Sequence, residues 1–318
     1  MAANRPIIMT PLANEFLEYP MRRHGMDHDR YPWSNMFDRP PIEWPNEAKI
    51  ALLVTVPLEF FPLNQTGKPF KAPGSMVTAY PDFRHYSSRD YGNRVGVFRF
   101  LKLFSELGIK ANFAVNSAVA ERYPLLIERI NAENHEIIAH GIDMDTLHYG
   151  GLDEATERAQ IEECVGKLRE ISGQKIRGWM SPAVSESFNT PDLLTEFGIK
   201  YVCDWANDEL PYTLNTKNGN LVAMPISQEI NDRQIIINYH HDEANFVQQL
   251  KDQFDWLLSE TDRYGGRVLS LTVHPYIMGL PYRIQALKSA LAYITSHESI
   301  WNATGSDLLN VLPQSKTK

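Results

Sequence analysis

The sequence predicts an α/β protein, a (β/α)7-type barrel in a single domain. Two observations carry this prediction. Short apolar runs alternate with helical patterns from residue 49 onward, and reactive side chains follow the ends of several of those runs. Strands that alternate with helices lie parallel and are joined by crossovers, and about seven such units close into a barrel. In barrels of this kind, chemistry takes place at the carboxyl ends of the strands.

The elements follow one another with little interruption. The pattern predicts a buried strand over residues 50–56 and a helix with an apolar stripe over 95–106, which Gly108 ends as C-cap. Further strands are predicted over residues 111–115, 136–139, 176–180, 200–203, 268–273 and 299–302. Further helices are predicted over residues 124–131, 154–171, 190–197 with Thr190 as N-cap, 245–260 and 284–296, and from Gly305 onward.

Two stretches lack this periodicity. Residues 1–48 are rich in Pro, Arg, Asn and aromatic residues, so we expect an extended segment that packs on the barrel or on a neighbouring subunit. Residues 49–318 then form the barrel domain. Several Gly and Pro residues in 62–94 predict a long loop, acting as a lid or an arm between subunits. Together the two stretches favour a homo-oligomer, a dimer or tetramer.

Composition narrows the classes of partner. The chain has 318 residues, 43% of them hydrophobic, which suffices for one large core. Its formal charge of −8, from 31 basic and 39 acidic residues, argues against nucleic acid. No stretch approaches the length of a membrane helix, and Cys164 and Cys203 form no CxxC motif. We therefore expect a cytoplasmic protein with a small-molecule substrate and no membrane partner, which weighs against a cell-wall substrate.

Four polar residues at strand ends are the catalytic candidates. His140 precedes a glycine, and His274 precedes a proline. Glu59 follows the first strand among apolar neighbours, so we expect burial to raise its pKa and suit it to proton transfer near neutral pH. Asp204, in Cys-Asp-Trp, is expected either to orient His274 or to cap the following turn.

Aromatic and acidic residues near these strand ends are candidates for substrate binding. Trp179, Trp205 and Tyr212 can line a pocket, although packing in a core would equally account for them. Glu229 is expected to shape the pocket mouth, with a salt bridge as the alternative role. The candidates for stabilising an oxyanion without a metal are the indole N–H of Trp179, backbone N–H groups near Gly178 and a protonated histidine.

Metal binding is the main alternative for the acidic and histidine residues after the third strand. Glu59 and His140 can bind Zn²⁺, and Asp143, Asp145 or His148 can complete the ligand set. Solvated loop positions or an N-cap are the competing roles for these last three residues.

Several motifs together resemble one protein family. They run in order from residue 98 to residue 283, and the most specific are Glu136-Ile-Ile-Ala-His140-Gly141, Asn189-Thr-Pro-Asp-Leu193, Tyr201-Val-Cys-Asp204-Trp205, Glu229-Ile-Asn-Asp232 and His274-Pro275. From about residue 30 the chain resembles the polysaccharide deacetylase superfamily of the NodB type. Within it, the chain most resembles the branch of cofactor-independent allantoinases. The resemblance implies the NodB fold, a distorted barrel of about seven strands, and supports a homo-oligomer.

The departures from the usual pattern of this superfamily concern its metal. Typical members carry a paired-Asp motif, which here reads Thr55-Val-Pro-Leu58-Glu59, and a His-x-x-x-His motif, which here runs from His140 to Met144. Methionine is a poor ligand for a hard divalent ion. The Arg-x-Pro-x-Gly motif is also replaced. The resemblance thus implies no cofactor, and Zn²⁺ or another divalent metal is the alternative.

These observations predict a hydrolase that cleaves a non-peptide carbon–nitrogen bond in a small amide, ureide or cyclic amide. Glu59, helped by His140, would activate water, and His274 would protonate the leaving nitrogen, the role that the resemblance gives it. The first alternative is a metal-dependent N-deacetylase of an amino sugar or polysaccharide. The second is a catalytically silent binding protein, because Leu58 replaces the usual base. No arginine can be assigned to a substrate carboxylate, the candidates being Arg84, Arg94, Arg99, Arg177 and Arg283.

Overall fold

A curled β-sheet forms the centre of the protein. The computed structural model describes residues 28–66 and 81–312, and in these residues the sheet has nine strands. The strands are β1 Ile50–Leu58, β2 Asn112–Val115, β3 Glu136–Ala139, β4 Gly178–Trp179, β5 Tyr201–Val202, β6 Tyr212–Thr216, β7 Gly219–Ala223, β8 Arg267–Thr272 and β9 Ile300–Asn302.

The strand order explains how the sheet curls. It runs β6-β7-β5-β4-β3-β2-β1-β8, with β9 added on β1. The pairs are parallel except for β6 with β7, which form an antiparallel hairpin. A parallel bridge between Asn231 and Thr272 ties the segment after β7 to β8. All nine residues of β1 are buried, as expected for a parallel strand covered on both faces. The prediction of a distorted (β/α) barrel in a single domain is confirmed.

Helices cover the outer face of the sheet. Their bounds are α1 Phe83–Tyr91, α2 Val97–Leu107, α3 Ser117–Arg122, α4 Pro124–Ala132, α5 Glu154–Ser172, α6 Thr190–Glu196, α7 Glu243–Tyr264, α8 Pro275–Met278, α9 Ile284–Thr295 and α10 Gly305–Val311. Two π-helical turns, Gly92–Gly96 and Arg233–Asn238, add to them. Gly108 ends α2 in the left-handed conformation, as predicted. Within the described ranges, no helix combines the length and apolar character needed to cross a bilayer.

Two local predictions were wrong, and one hairpin was missed. Helix α1 lies within the predicted loop 62–94, because the Asp82 side chain accepts hydrogen bonds from the first N–H groups of a largely polar helix. Residues 67–80 of that loop lie outside the described part of the chain. The hairpin of β6 and β7 was not predicted. Asn189, not Thr190, occupies the N-cap position of α6.

The described part of the N-terminal segment lies on the barrel. Arg30 forms an ion pair of 2.8 Å with Asp192 in the first turn of α6. Trp44 is buried, and its indole N–H donates to the carbonyl oxygen of Arg267 at 3.0 Å. A Cβ atom on Gly266 would come within 2.4 Å of that indole, so the chain approaches closely there. Residues 1–27 lie outside the described residues. The boundary at residue 48 and contact with a second subunit stay predictions.

Candidate active site

A cavity of about 270 Å³ opens at the carboxyl ends of β1, β3, β4 and β8. Its lining residues are Pro57, Glu59, His140, Met180, Ala183, Val184, Ile226, Ser227, Gln228, Asn231, Arg233, Gln234, Asn238, Thr272 and His274. Three of the four predicted catalytic residues therefore meet in one cavity. They do so because parallel strands deliver the residues that follow them to the same edge of the sheet.

Glu59 lies at the buried end of this cavity, directly after β1. Its side chain is about 3% exposed. Its Oε1 atom is 3.9 Å from Nε2 of His140 and 3.8 Å from Nε2 of His274. Both distances exceed a normal hydrogen bond. Oε2 of Glu59 and Nε2 of His140 have no hydrogen-bond partner among the described residues. The cavity thus contains polar atoms that only a bound molecule can satisfy.

The backbone around Gly141 fixes the position of His140. Gly141 has a φ of 68°, and a Cβ atom there would lie 2.4 Å from Cγ of Pro182. The side-chain amide of Asn116 donates to the His140 carbonyl oxygen. Nδ1 of His140 donates to the carbonyl oxygen of Met180 at 2.7 Å. A carbonyl oxygen only accepts, so Nδ1 carries a proton and neutral His140 presents a lone pair at Nε2.

Asp232 holds His274. One of its carboxylate oxygens accepts from Nδ1 of His274 at 2.7 Å, and the other accepts from the His274 backbone N–H at 2.6 Å. Asp232 is fully buried. Behind His274, the chain at Pro275 passes so close to Gly96 that a Cβ on this glycine would lie 2.1 Å from the Pro275 carbonyl oxygen. His274 is therefore fixed from two sides.

The expected partner of His274 was wrong. Asp204 accepts a hydrogen bond of 2.8 Å from the Ser181 backbone N–H and lies beside Glu186. Burial raises the pKa values of both Asp204 and Glu186, and each carboxyl group is close to the other. Trp205 donates its indole N–H to Glu186 at 3.2 Å. Asp204 thus forms a carboxyl pair with Glu186. The residue that orients His274 is Asp232, not Asp204.

The pKa of Glu59 also differs from the expectation. Burial does raise it, but the neighbouring His140, His274 and Arg233 lower it by more, so the pKa ends well below the ordinary value for Glu. The permanent positive charge of Arg233 favours the ionised form of this buried carboxylate even while His140 is neutral. Glu59 is therefore an anion near neutral pH, and the prediction of a raised pKa was wrong.

Arg233 is a cavity residue that the sequence analysis missed. It begins the π-helical turn directly after Asp232. The phenol of Tyr276 and the carboxylates of Glu59 and Asp232 raise its pKa. None of the five arginines proposed from the sequence lines the cavity. The signal available was the polar run Asn231-Asp-Arg-Gln234, but nothing in it indicated a partner more than 40 residues away in the chain.

The proposed substrate-binding residues lie outside this cavity. Trp179 is fully buried, and its indole N–H donates to the Ser181 hydroxyl at 2.8 Å, so it cannot reach an oxyanion. Trp205 and Tyr212 both pack against Tyr31, with ring centroids 5.6 and 5.0 Å from its ring. Glu229 accepts a hydrogen bond from the Tyr239 hydroxyl at 2.7 Å on an exposed surface. Packing, the alternative given for the three aromatic residues, is therefore the role that the structure shows for them, and Glu229 does not line the cavity.

The metal candidates do not come together. Asp143 accepts from the backbone N–H groups of Asp145 and Thr146, and Asp145 accepts from Thr66. His148 is buried against Glu157, with 3.1 Å between Nδ1 and Oε1. Over residues 28–66 and 81–312, no three His, Cys, Asp or Glu side chains are grouped to hold a metal ion. The unpartnered atoms of Glu59 and His140 could supply two metal ligands, fewer than the three protein ligands of a catalytic zinc site. The described residues therefore do not fit a complete metal site.

Comparison with known sequences gives a consistent result. The family profile described as polysaccharide deacetylase matches residues 83–202, from α1 to β5. A putative polysaccharide deacetylase of Schizosaccharomyces pombe is 26% identical over 234 residues, which cover 68% of this chain and 72% of that protein.

Solved structures extend the likeness beyond the matched segment. The crystal structure of PuuE allantoinase has a TM-score of 0.78 and 28% identity, covering 88% of this chain and 97% of that chain. A probable polysaccharide deacetylase from Pseudomonas aeruginosa PAO1 has a TM-score of 0.77 and 28% identity, with the same coverage of both chains. The matched profile, the curated relative and these two structures together identify a polysaccharide deacetylase domain of the NodB type in this chain.

Proposed function

We propose that the chain hydrolyses a non-peptide carbon–nitrogen bond in a small amide, ureide or cyclic amide. The observation that carries this proposal is the meeting of the Glu59 carboxylate with Nε2 of His140 and His274 in one cavity. The cavity volume of about 270 Å³ suits a small molecule better than a polymer. The likeness to an allantoinase, an enzyme named for a cyclic ureide, adds support.

The base in this proposal is His140, with Glu59 beside it. Ionised Glu59 accepts a hydrogen bond from a water molecule and orients it toward the substrate carbonyl carbon. Nε2 of His140 takes the proton as the water oxygen bonds to that carbon, since histidine exchanges protons near neutral pH. The Glu59 anion stabilises the imidazolium that results. This differs from a mechanism in which Glu59 itself titrates near neutral pH, because its pKa is lowered.

The acid in this proposal is His274. A carboxylate stabilises an imidazolium more strongly than a neutral carbonyl oxygen does. His274 has such a carboxylate partner in Asp232, whereas the partner of His140 is the carbonyl oxygen of Met180. His274 therefore delivers its proton to the leaving nitrogen as the carbon–nitrogen bond breaks. Asp232 acts through His274 and is a positioning residue. Hydrolysis leaves a carboxyl group and an amine or urea group, on two molecules for a linear substrate and on one ring-opened molecule for a cyclic one.

A panel of substrates tests this proposal. Hydantoins, N-carbamoyl amino acids, simple amides and N-acetylglucosamine oligomers are each incubated with the purified protein, and products are followed by proton NMR. We expect hydrolysis of a ureide or cyclic amide, and a loss of about 10²- to 10⁴-fold in Glu59→Gln, which keeps the side-chain size but removes the charge. The exposed Glu128→Gln on α4 is the matched control. A rate unchanged in Glu59→Gln would contradict the assignment.

Deacetylation is the second candidate, because the matched profile and the yeast relative both carry that description. Acetate release from the oligomers, without cleavage of ureides, would favour it. Elemental analysis of protein purified without chelator, with assays before and after chelation, then tests for metal dependence. Binding of panel compounds with no turnover of any of them would favour the silent binding protein.

A further inference from the structure

We propose that the substrate carries a carboxylate and that Arg233 binds it. This inference rests on the proposed function, because it takes the cavity to hold a small amide or ureide. It adds the charge of the substrate and the residue that recognises it. Of the described residues that line the cavity, Arg233 is the one with a permanent positive charge.

The hydrogen-bonding state of Arg233 carries the argument. A guanidinium has five N–H donors, and burying them without acceptors is costly. Arg233 is only partly exposed, and among residues 28–66 and 81–312 no side chain or carbonyl accepts a hydrogen bond from its guanidinium. Its donors are therefore available to a molecule in the cavity. Carboxylates match the planar fork of a guanidinium with two parallel hydrogen bonds.

A purely electrostatic role for Arg233 would not use these donors. Its positive charge interacts favourably with the Glu59 and Asp232 carboxylates. This charge balance alone would account for a cation near the cavity. Arg89 shows the alternative arrangement. It also interacts with Glu59, but it lies over the Phe61 ring at 3.8 Å and contacts Nε2 of His85 at 2.6 Å. A cation needed only for charge balance can be packed and bonded in this way, whereas Arg233 lines the cavity.

The opening of the cavity suits a polar, charged molecule. The Gln228 and Gln234 side chains bring amide donors and acceptors to the same segment of chain as Arg233. Met180 and Val184 add apolar surface to the same lining. A small ureide or amide with one carboxylate would place its charge toward Arg233 and its reacting carbonyl toward Glu59 and the two histidines.

Two probes that differ in one group test the inference. N-carbamoylglycine carries a carboxylate, and N-carbamoylglycinamide carries a neutral amide of the same size. Ligand-observed NMR titration gives the Kd of each, and the same spectra reveal turnover. We expect the wild type to bind the carboxylate probe about tenfold or more tightly than the amide. In Arg233→Gln the two Kd values should agree within about twofold, and Arg233→Lys should fall between.

The exposed Arg129→Gln on α4 is the matched control and should keep the wild-type preference. A preference that persists in Arg233→Gln, equal binding of the two probes by the wild type, or no binding of either probe would each overturn the inference. The test separates it from the proposed function. A preference that depends on Arg233, found without hydrolysis of any panel compound, supports this inference and counts against the proposed function. Hydrolysis of a panel compound, found without a preference for the carboxylate probe, supports the proposed function and counts against this inference.

Discussion

Replacing Asp232 with Asn should lower the catalytic rate much more than it changes substrate binding. The carboxylate accepts from Nδ1 and from the backbone N–H of His274 at 2.7 and 2.6 Å. Asn supplies one acceptor and one donor, so one of these N–H groups faces an amide donor. A hydrogen bond to a charged group contributes about 1.5–3 kcal/mol. If that stabilisation acts on the imidazolium of His274, kcat should fall about 10- to 150-fold in Asp232→Asn.

The assay is steady-state kinetics with the substrate that the panel identifies, in a double-mutant cycle with His274→Ala. Because Asp232 acts through His274, the Asn substitution should change kcat by less than about threefold once the imidazole is absent. Urea unfolding of each variant measures the separate effect on folding. Additive losses in the cycle, or a rise in KM with unchanged kcat, would refute the assignment of Asp232 as the positioning residue of His274.

Three further predictions concern the frame of the site and its stability. Gly141→Ala should lower both kcat and the free energy of unfolding, the second by about 1–3 kcal/mol. The reason is that φ of Gly141 is positive and an added Cβ would contact Pro182. Steady-state kinetics and urea unfolding measure the two effects. Burial, together with the nearby positive charge of Lys110, lowers the pKa of His135 from its ordinary value of 6.5 to about 4. Between pH 4 and 6.5 the unfolded chain binds more protons at this histidine than the folded chain, so stability should fall as the pH drops from about 6.5 to about 4. Over that range the urea midpoint of His135→Gln should fall by less than that of the wild type. Trp44→Ala should cost about 3–5 kcal/mol in urea unfolding, since it empties a buried site.

The sequence predicted the sheet well because most of its strands are buried on both faces. Such strands appear as continuous apolar runs, and β1 is the clearest of them. It predicted less well the elements that depend on a cap or on tertiary contacts. Helix α1 is polar and begins at the cap that Asp82 provides, while the hairpin of β6 and β7 adds at the edge of the sheet through β5. Apolar periodicity is weak in both.

The same division holds for the candidate site. Glu59, His140 and His274 could be found because a residue that follows a parallel strand has a predictable location. Asp232 and Arg233 follow no strand. They reach the site through the bridge of Asn231 to Thr272, a contact between residues 41 positions apart that no local pattern encodes. The lowered pKa of Glu59 likewise depends on opposing contributions from burial and from three neighbours, which sequence alone cannot weigh.

The adjacency of Asp232 and Arg233 limits how this protein can be redesigned. One residue orients the proposed acid and the next faces the proposed substrate, so a change in loop length or backbone path here would disturb the proton donor and the recognition of the ligand together. Gln234 and Asn238, described residues that follow in the chain and also line the cavity, form no hydrogen bond with the proposed proton donor. A library that aims at new substrates should therefore vary these outer positions and leave the backbone around Asp232 untouched.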